Sequence, residues 1–518
     1  MGKHSTRLRT KNGRFALFKN SPLSVTGIGG AILFRNVLMM SSFIYNIAMI
    51  TDRWFPRNPL LCVYSTLDLI TTRITRLACG FSDFIDGAIF KRDAGVRHAF
   101  GNCPSASTEC RFYQRLGKGQ TGARDIRTNG QAHLLSKGDP LRIGSPFMEQ
   151  LNEALLNEAI HRAPKKRGFV IIDADSTVIP CYGDKDEKAF CGKQRVNGYY
   201  PLMVFINQFP AWIQNAPGAT DGRHLLRMCL DKILKAVIDS GVSPDRVLVR
   251  TDAGFNADDI IQIIEKRGCR YILGLGQTKP LLENLAQQLL EIAPAPGHRD
   301  LPSEIRTRIS YHAPKELQLC SDKDELPIFK ENFRICGHVD SYRARSWTTE
   351  RTVIYRIEHS VEHNETDFRF IQTNLTCHEC VLFQLDGVRK CRTLLWNCPE
   401  TTESAGRAVD LYDGLYCGRG NCELWIREFK ESWEGDRMNT SDFFANWYLM
   451  FLAFAGMAFL RGWLMSKLGA RGWTMRLKTF RQEFLFIPAL IKSKVRQVEF
   501  HVSDRDSKWW SEFDSLIP

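Results

Sequence analysis

RGFVIIDADSTVI (residues 167–179) sets a run of branched apolar residues directly against two aspartates, Asp173 and Asp175. The Val and Ile content predicts a β-strand. Side chains two apart on a strand point to the same face, so both carboxylates project together from its end. Alone, the pair reads as a strand end with capping and turn duties or as the first acid of a site. Downstream, YYPLMVFIN (199–207) and AWIQNAP (211–217) read as strands and RHLLRMCLDKILKAVID (223–239) has helical spacing. DRVLVRTDAGF supplies a strand ending at Asp252, ADDIIQIIEKRG a helix and CRYILGLG another strand. Strands alternating with helices predict an α/β sheet core. Asp252 follows the apolar VLVR, and Gly254 beside it lets the backbone turn sharply. Acids at the ends of buried strands stand where open α/β sheets put their chemistry.

On either side of that core the character changes. Residues 1–165 read as mainly helices and irregular links, a region suited to DNA binding and assembly, with Leu151, Leu155 and Ile160 at helical spacing before APKK breaks the pattern. The alternating α/β pattern occupies 166–276. Residues 277–365 are β-rich, with RTVIYRIEHS and DFRFIQTNL as hairpin strands around VEHNET. The α/β style resumes over 366–465 and passes into helices, and 466–518 is a basic C-terminal region. The arrangement reads as one catalytic sheet interrupted by an inserted β-rich domain.

The composition fits a folded protein with a partner of opposite charge. Hydrophobic residues at 44% and charged residues at 25% are ordinary for a chain that builds a core. The formal net charge of +13 favours a polyanion, whether RNA, DNA or a lipid surface. Sixteen cysteines follow an opening, MGKHSTRLRTKNGRF, that is too polar for a signal peptide, so reduced thiols in the cytoplasm are expected. YLMFLAFAGMAFL (448–460) is too short to span a bilayer and meets Arg461, and the stretch 31–50 is broken by Arg35 and Asn36. Both read as core helices, with no membrane partner.

The third acid lies in YCGRGNCELWIREFK (416–430). At helical pitch Tyr416, Arg419, Glu423 and Lys430 project within roughly 60° of one another. Gly418 and Gly420 argue against one continuous helix, so Glu423 and Lys430 share a helix face while Arg419 approaches from the preceding turn. The same residues also fit a solvated charged face backed by Trp425, Ile426 and Phe429. Three carboxylates on separate elements can hold two divalent ions roughly 3.5–4 Å apart, and Mg²⁺ suits all-oxygen ligands. Arg and Lys beside such acids suit the clamping of phosphate oxygens.

On these residues the sequence resembles the cut-and-paste DDE transposases of bacterial insertion sequences, in the branch with a Y-x2-R-x3-E-x6-K signature. Tyr416, Arg419, Glu423 and Lys430 match every spacing. IDADST, NGYYPLMVF, RTDAGF, SWTTERTVIYRIEH and FRFIQTNL support the match, which extends from GFSDFIDGAIFKRDAGVRHAFG near residue 80 to about residue 500. The resemblance implies a ribonuclease-H-like core carrying Asp175, Asp252 and Glu423 as catalytic triad and metal ligands. Asp175 is preferred to Asp173 because the family's first acid precedes Ser/Thr-Thr, here Ser176 and Thr177. It also implies two Mg²⁺ ions with Mn²⁺ as a substitute, Arg419 and Lys430 as phosphate clamps, and Tyr416 as a positioning group. The implied activity is binding of double-stranded terminal inverted repeats, cleavage there and transfer of the 3′ ends to target DNA by a homodimer in the synaptic complex. A transposase-derived DNA-binding protein without catalysis and a metal-dependent nuclease without strand transfer are the competing readings.

The 171 residues between Asp252 and Glu423 suit the β-rich insertion. There Trp347, with Arg343, Arg345 and Arg351 around it, could stack on an unpaired base or fill a core. Cys377, Cys380, Cys391 and Cys398 have a spacing open to tetrahedral zinc, against buried reduced thiols.

Overall fold

The computed structural model describes residues 6–9, 15–18, 24–101, 103–128, 145–163, 168–283, 333–360, 362, 365–375, 410–494, 497–502 and 505–517. Its centre is an eight-stranded sheet. The strands are β1 (Val170–Ser176), β2 (Leu202–Ile206), β3 (Phe209–Gln214), β4 (Val247–Thr251), β5 (Arg270–Leu275), β6 (Phe333–Tyr342), β7 (Arg351–Ser360) and β8 (Glu365–Thr373). Their order across the sheet is β6-β7-β8-β5-β4-β1-β2-β3. β1, β4 and β5 run parallel, so their carboxyl ends share one edge. β2 and β3 return antiparallel beside β1, and β8, β7 and β6 continue the sheet antiparallel beyond β5.

Burial on both faces explains the continuous apolar runs of the parallel strands. Val170 to Ala174 are all buried. Ile171, Leu248 and Ile272 pack on one face with Leu411, Tyr412 and Leu415, while Val170, Ile172, Val249 and Leu273 face the larger core. Asp173 and Asp175 continue the Ile171 face. The sequence predicts one strand over 199–207, but the structure ends β2 at Ile206 because Asn207 and Gln208 both take positive φ, 45° and 68°. That is the two-residue hairpin geometry matched to strand twist. Asn207 Oδ1 accepts the Ile171 N–H at 2.7 Å, and its amide donates to the Phe169 carbonyl at 3.1 Å, so the turn is also tied to β1.

The helices used below are α1 (Ala31–Met39), α2 (Ser42–Trp54), α3 (Thr66–Ala78), α4 (Ala106–Thr128), α5 (Pro146–Arg162), α6 (Gly222–Asp239), α7 (Asp258–Lys266), α8 (Gly420–Glu431) and α9 (Phe443–Thr474). Two depart from the sequence reading. The stretch 31–50 is two helices bent by 65°, because the Ser41 hydroxyl leaves the helix to cap α2, accepting the Ile44 N–H at 3.3 Å. The apolar run 448–460 is only the middle of the 32-residue α9, which has a break at Gly469. By length and composition α9 could cross a bilayer, but its apolar window is wholly buried. It packs against α4, α5 and β3, where each buried Leu or Phe side chain contributes ~1.5–3 kcal/mol.

The ends of the described chain also depart from a purely helical pattern. Thr6–Arg9 and Phe15–Phe18 form a hairpin, and Ser24–Thr26 joins Ala489–Ser493 and Val498–Val502 in a three-stranded sheet. Some of the C-terminal basic residues serve this packing. Arg471 pairs with Glu483 and Glu512, and Arg481 donates to the Leu77, Ala78 and Ser432 carbonyls.

Candidate active site

Three elements meet at the carboxyl edge of β1 and β4. Asp175 lies one residue from the end of β1, and Asp252 immediately follows β4 as the cap of a short 3₁₀ turn, its Oδ1 accepting the Gly254 N–H at 2.9 Å. The chain from Asp410 to Tyr416 winds as a π-helical turn and tightens to 3₁₀ over Cys417–Arg419 before α8 begins at Gly420. Arg419 therefore approaches from the turn before the helix, while Glu423 and Lys430 lie on α8. Two glycines make this convergence sterically possible. A Cβ on Gly274 of β5 would stand 2.6 Å from both the Ala253 nitrogen and the Tyr416 hydroxyl, and one on Gly418 would stand 2.7 Å from Arg250 Nη1.

Arg419 ties the site together. Its Nη1 lies 3.3 Å from Asp175 Oδ2 and its Nη2 lies 2.6 Å from Glu423 Oε1. Asp175 also accepts the Ser176 N–H at 2.8 Å. Burial pushes the Asp175 carboxyl up to about 6, Asp252 and Glu423 add to the rise, and Arg419 and the Ser176 N–H oppose it. Burial works against the Arg419 charge, but Asp175, Tyr416, Glu423 and Asp252 hold its guanidinium above the ordinary arginine range. For Tyr416, burial raises the phenol, Arg419 lowers it and Asp252 raises it. The three acids named from sequence thus share one electrostatic neighbourhood with two of the signature residues.

Lys430 faces another part of the site. It donates to the Val178 carbonyl at 2.8 Å, and burial lowers its ammonium below the ordinary lysine range. With Glu423 it lines a cavity of about 920 Å³ whose wall also includes Tyr182, Lys185 and Met438.

Asp173 has a different task. Arg250 grips it at both oxygens, Nε to Oδ1 at 2.7 Å and Nη2 to Oδ2 at 2.8 Å, and sends Nη1 to the Leu415 carbonyl at 2.6 Å. Both side chains are buried. This pair joins β1 to β4 and fixes the backbone that leads to Tyr416, beneath the acid cluster.

Three carboxylates are all-oxygen ligands of the kind hard divalent cations take, and a guanidinium stands between two of them where positive charge is needed. Among the described residues no three metal-ligating side chains are gathered at coordination distance. Arg419 occupies the space that separates Asp175 from Glu423, so bringing the three acids onto an ion requires Arg419 to swing out. The residues fit the chemistry of the ion in an arrangement closed by their own arginine.

The remaining candidates lie apart from this cluster. Trp347 is 5% exposed, edge-on to Tyr342 at 5.6 Å between centroids and beneath Arg351 at 5.0 Å. Arg351 is buried and pairs with Asp258 at 2.6 Å, docking the β6–β7 turn on α7. Arg343 is exposed and donates to the Trp347 carbonyl at 3.2 Å; Arg345 is exposed. In this structure the ring and Arg351 are packing groups, and the two outer arginines face solvent. Cys377, Cys380, Cys391 and Cys398 lie outside the described residues.

Sequence reasoning missed Arg250, Gly274 and Tyr200. Arg250 had a signal, an arginine inside an apolar strand, which needs a buried partner. Gly274 had one too, a glycine in a strand interior, which marks close backbone approach. Tyr200 lies within the NGYYPLMVF match, which assigns it no role: burial pushes its phenol up to about 12, with Asp252 and Asp175 next among the causes.

A family model described as transposase DDE domain, group 1, matches residues 21–508. No curated protein matches the chain.

Proposed function

The chain belongs to the DDE-domain transposases of group 1, and from that premise we propose that Asp175, Asp252 and Glu423 are its catalytic triad on a ribonuclease-H-like core. The family implies DNA substrates, and DDE domains generally use divalent metal ions. The strand order β3-β2-β1-β4-β5, with an antiparallel β1–β2–β3 meander and parallel β1, β4 and β5, supports the core assignment. In this reading the core spans 166–276 and 366–465, the β-rich insertion 277–365, and the flanks 1–165 and 466–518 assemble and bind DNA. The observation that carries the proposal is the Arg419 bridge from Asp175 to Glu423, which joins residues 248 apart in the chain at one sheet edge.

The protein binds the terminal inverted repeats of its element as a homodimer in the cytoplasm, cleaves at the ends and transfers the 3′ ends to target DNA. Asp175, Asp252 and Glu423 would hold the divalent ions, two Mg²⁺ or Mn²⁺ in their place, which would supply Lewis acidity for phosphoryl transfer. The chain's own residues prepare the site. The Gly254 N–H fixes the Asp252 carboxylate and the Ser176 N–H fixes that of Asp175. Arg419, once released from the acids, and Lys430 clamp phosphate oxygens through charge-assisted hydrogen bonds. Tyr416 packs beside Arg419 and limits where the strand can lie. Arg343 and Arg345 hold the backbone farther out, and Trp347 and Arg351 join them only on leaving their packed positions.

The experiment is purified protein with paired element ends, with and without Mg²⁺, resolving nicks, hairpins and joined products. Asp175→Asn, Asp252→Asn and Glu423→Gln should each lose cleavage and joining together while end binding survives. Cleavage surviving any one of the three substitutions would overturn the triad. Nicking without joined products would leave a nuclease.

A further inference from the structure

We infer that the small sheet inserted between β1 and β2 clamps unpaired nucleotides beside the scissile phosphate, with Tyr182 as its stacking platform and Phe190 as a second. The inference rests on the DNA-cleavage reading above.

After Thr177 the chain leaves the main sheet and builds a separate three-stranded one from Ile179–Pro180, Val196–Tyr199 and Ala189–Cys191. Its side chains divide clearly. Ile179, Cys181, Cys191 and Tyr199 are buried, whereas Tyr182 is 84% exposed and Phe190 55% exposed. Single exposed apolar residues are ordinary, but an aromatic ring this exposed at the rim of a candidate site, with a second on the same small sheet, asks for a partner. Tyr182 lines the same cavity as Glu423 and Lys430, which puts one ring at the rim of the acid cluster.

The sheet is held rigidly. Lys185 Nζ donates to the Met438 and Thr440 carbonyls at 2.9 and 2.7 Å, and the Asp186 N–H donates to the Ser441 carbonyl at 2.8 Å. Lys430 grips the Val178 carbonyl at its entrance. The Tyr199 hydroxyl donates to the Asp186 carbonyl at 2.7 Å, and its ring meets Phe443 edge-on at 5.2 Å. Tyr182 is thus offered on an anchored backbone, and stacking on it carries no loop-ordering cost.

Charge extends the platform. No acidic residue falls between Lys188 and Arg195, and Lys193 and Arg195 are exposed beyond Phe190. Around Tyr182 the charge is mixed, with Asp184 and Asp186 exposed and Glu431 and Glu434 lining the cavity with Arg427 and Lys430. A strand that continued past Phe190 would meet Lys193 and Arg195 along its phosphates, and basic groups beside aromatic rings bind single strands without sequence preference. A duplex keeps its base faces stacked on one another, so exposed rings select unpaired bases.

The test uses fluorescence anisotropy at fixed salt, in chelator, with a labelled duplex and the same duplex bearing a single-stranded thymidine tail. Wild type should prefer the tailed probe. Tyr182→Ala should lose about tenfold of that preference, as the removal of one stacked base predicts, and Phe190→Ala should add to the loss. Tyr182→Phe should retain it, with duplex affinity and melting temperature unchanged throughout. Undiminished tail preference in Tyr182→Ala, or equal loss on both probes, overturns the clamp. Wild type that binds the duplex with no tail preference overturns the clamp alone; wild type that binds neither probe overturns the transposase reading as well.

Discussion

Replacing Asp175 by Asn should stabilise the metal-free protein, because the carboxylate is held where its charge is unfavourable. Its folded value of about 6 lies above the ordinary 3.8, with burial the first cause and Asp252 the second. A raised carboxyl binds more protons folded than unfolded, so its contribution is fully present below pH 3.8 and is lost as pH rises through 6. Two pKa units correspond to about 3 kcal/mol. The Arg419 attraction is already contained in that net value, since it is among the causes pulling the carboxyl down. At pH 7.5 in chelator, Asp175→Asn should therefore unfold later than wild type by roughly 3 °C for a chain of this length. The gap should shrink between pH 6 and pH 4, as wild type takes up its proton. Adding Mn²⁺ should reverse the order, because a ligand that binds only the native state stabilises it and the variant has lost a carboxylate. Thermal unfolding followed by circular dichroism checks all three conditions. A variant less stable than wild type in chelator at pH 7.5 would refute the reasoning, for the Arg419 bridge would then outweigh burial and repulsion.

The remaining predictions separate neighbouring roles. Asp173→Ala leaves Arg250 buried without its partner and should cost roughly 3–5 kcal/mol, read as a lower urea midpoint with or without metal; an unchanged midpoint would remove Asp173 from its structural role. Arg419→Ala removes the cation that lowers Asp175, so the Asp175 midpoint, followed by carboxyl ¹³C NMR in metal-free protein, should move above its wild-type value near 6; a lower midpoint would contradict the bridge. Trp347→Ala empties a packed position and should cost about 3 kcal/mol of stability, measured by urea unfolding. Unchanged stability with impaired cleavage would instead give the ring to DNA.

The parallel strands were legible because burial on both faces writes itself as VIID, VLVR and YILG, short apolar runs each ended by a charged residue or a glycine. The glutamate helix was legible from spacing, and so was the break at Gly418 and Gly420 that leaves Arg419 on the preceding turn. What failed was non-local. Asp173 and Asp175 share a strand face, and the pattern alone does not reveal that Arg250, 77 residues on, claims the first. Arg461 read as the end of an apolar run, yet α9 continues through it because the guanidinium lies between the rings of Trp425 and Trp473, 3.3 and 3.8 Å from their centroids. The hairpin of β7 and β8 was visible as two alternating runs around HNET; its pairing onto β5 depends on an edge that no local pattern encodes. Trp347 and its arginines suggested either a DNA contact or a core, and the Asp258 partner that packs Arg351 lies on a different element.

The central claim is that Asp175, Asp252 and Glu423 close around divalent ions once Arg419 moves aside. Anomalous diffraction from a crystal of the protein with its cleaved element end and Mn²⁺ measures this directly. The account predicts Mn²⁺ peaks ligated by all three carboxylates beside the scissile phosphate, with the Arg419 guanidinium turned onto phosphate oxygens. Mn²⁺ bound elsewhere, or Arg419 still bridging Asp175 and Glu423 with the DNA end in place, would contradict it.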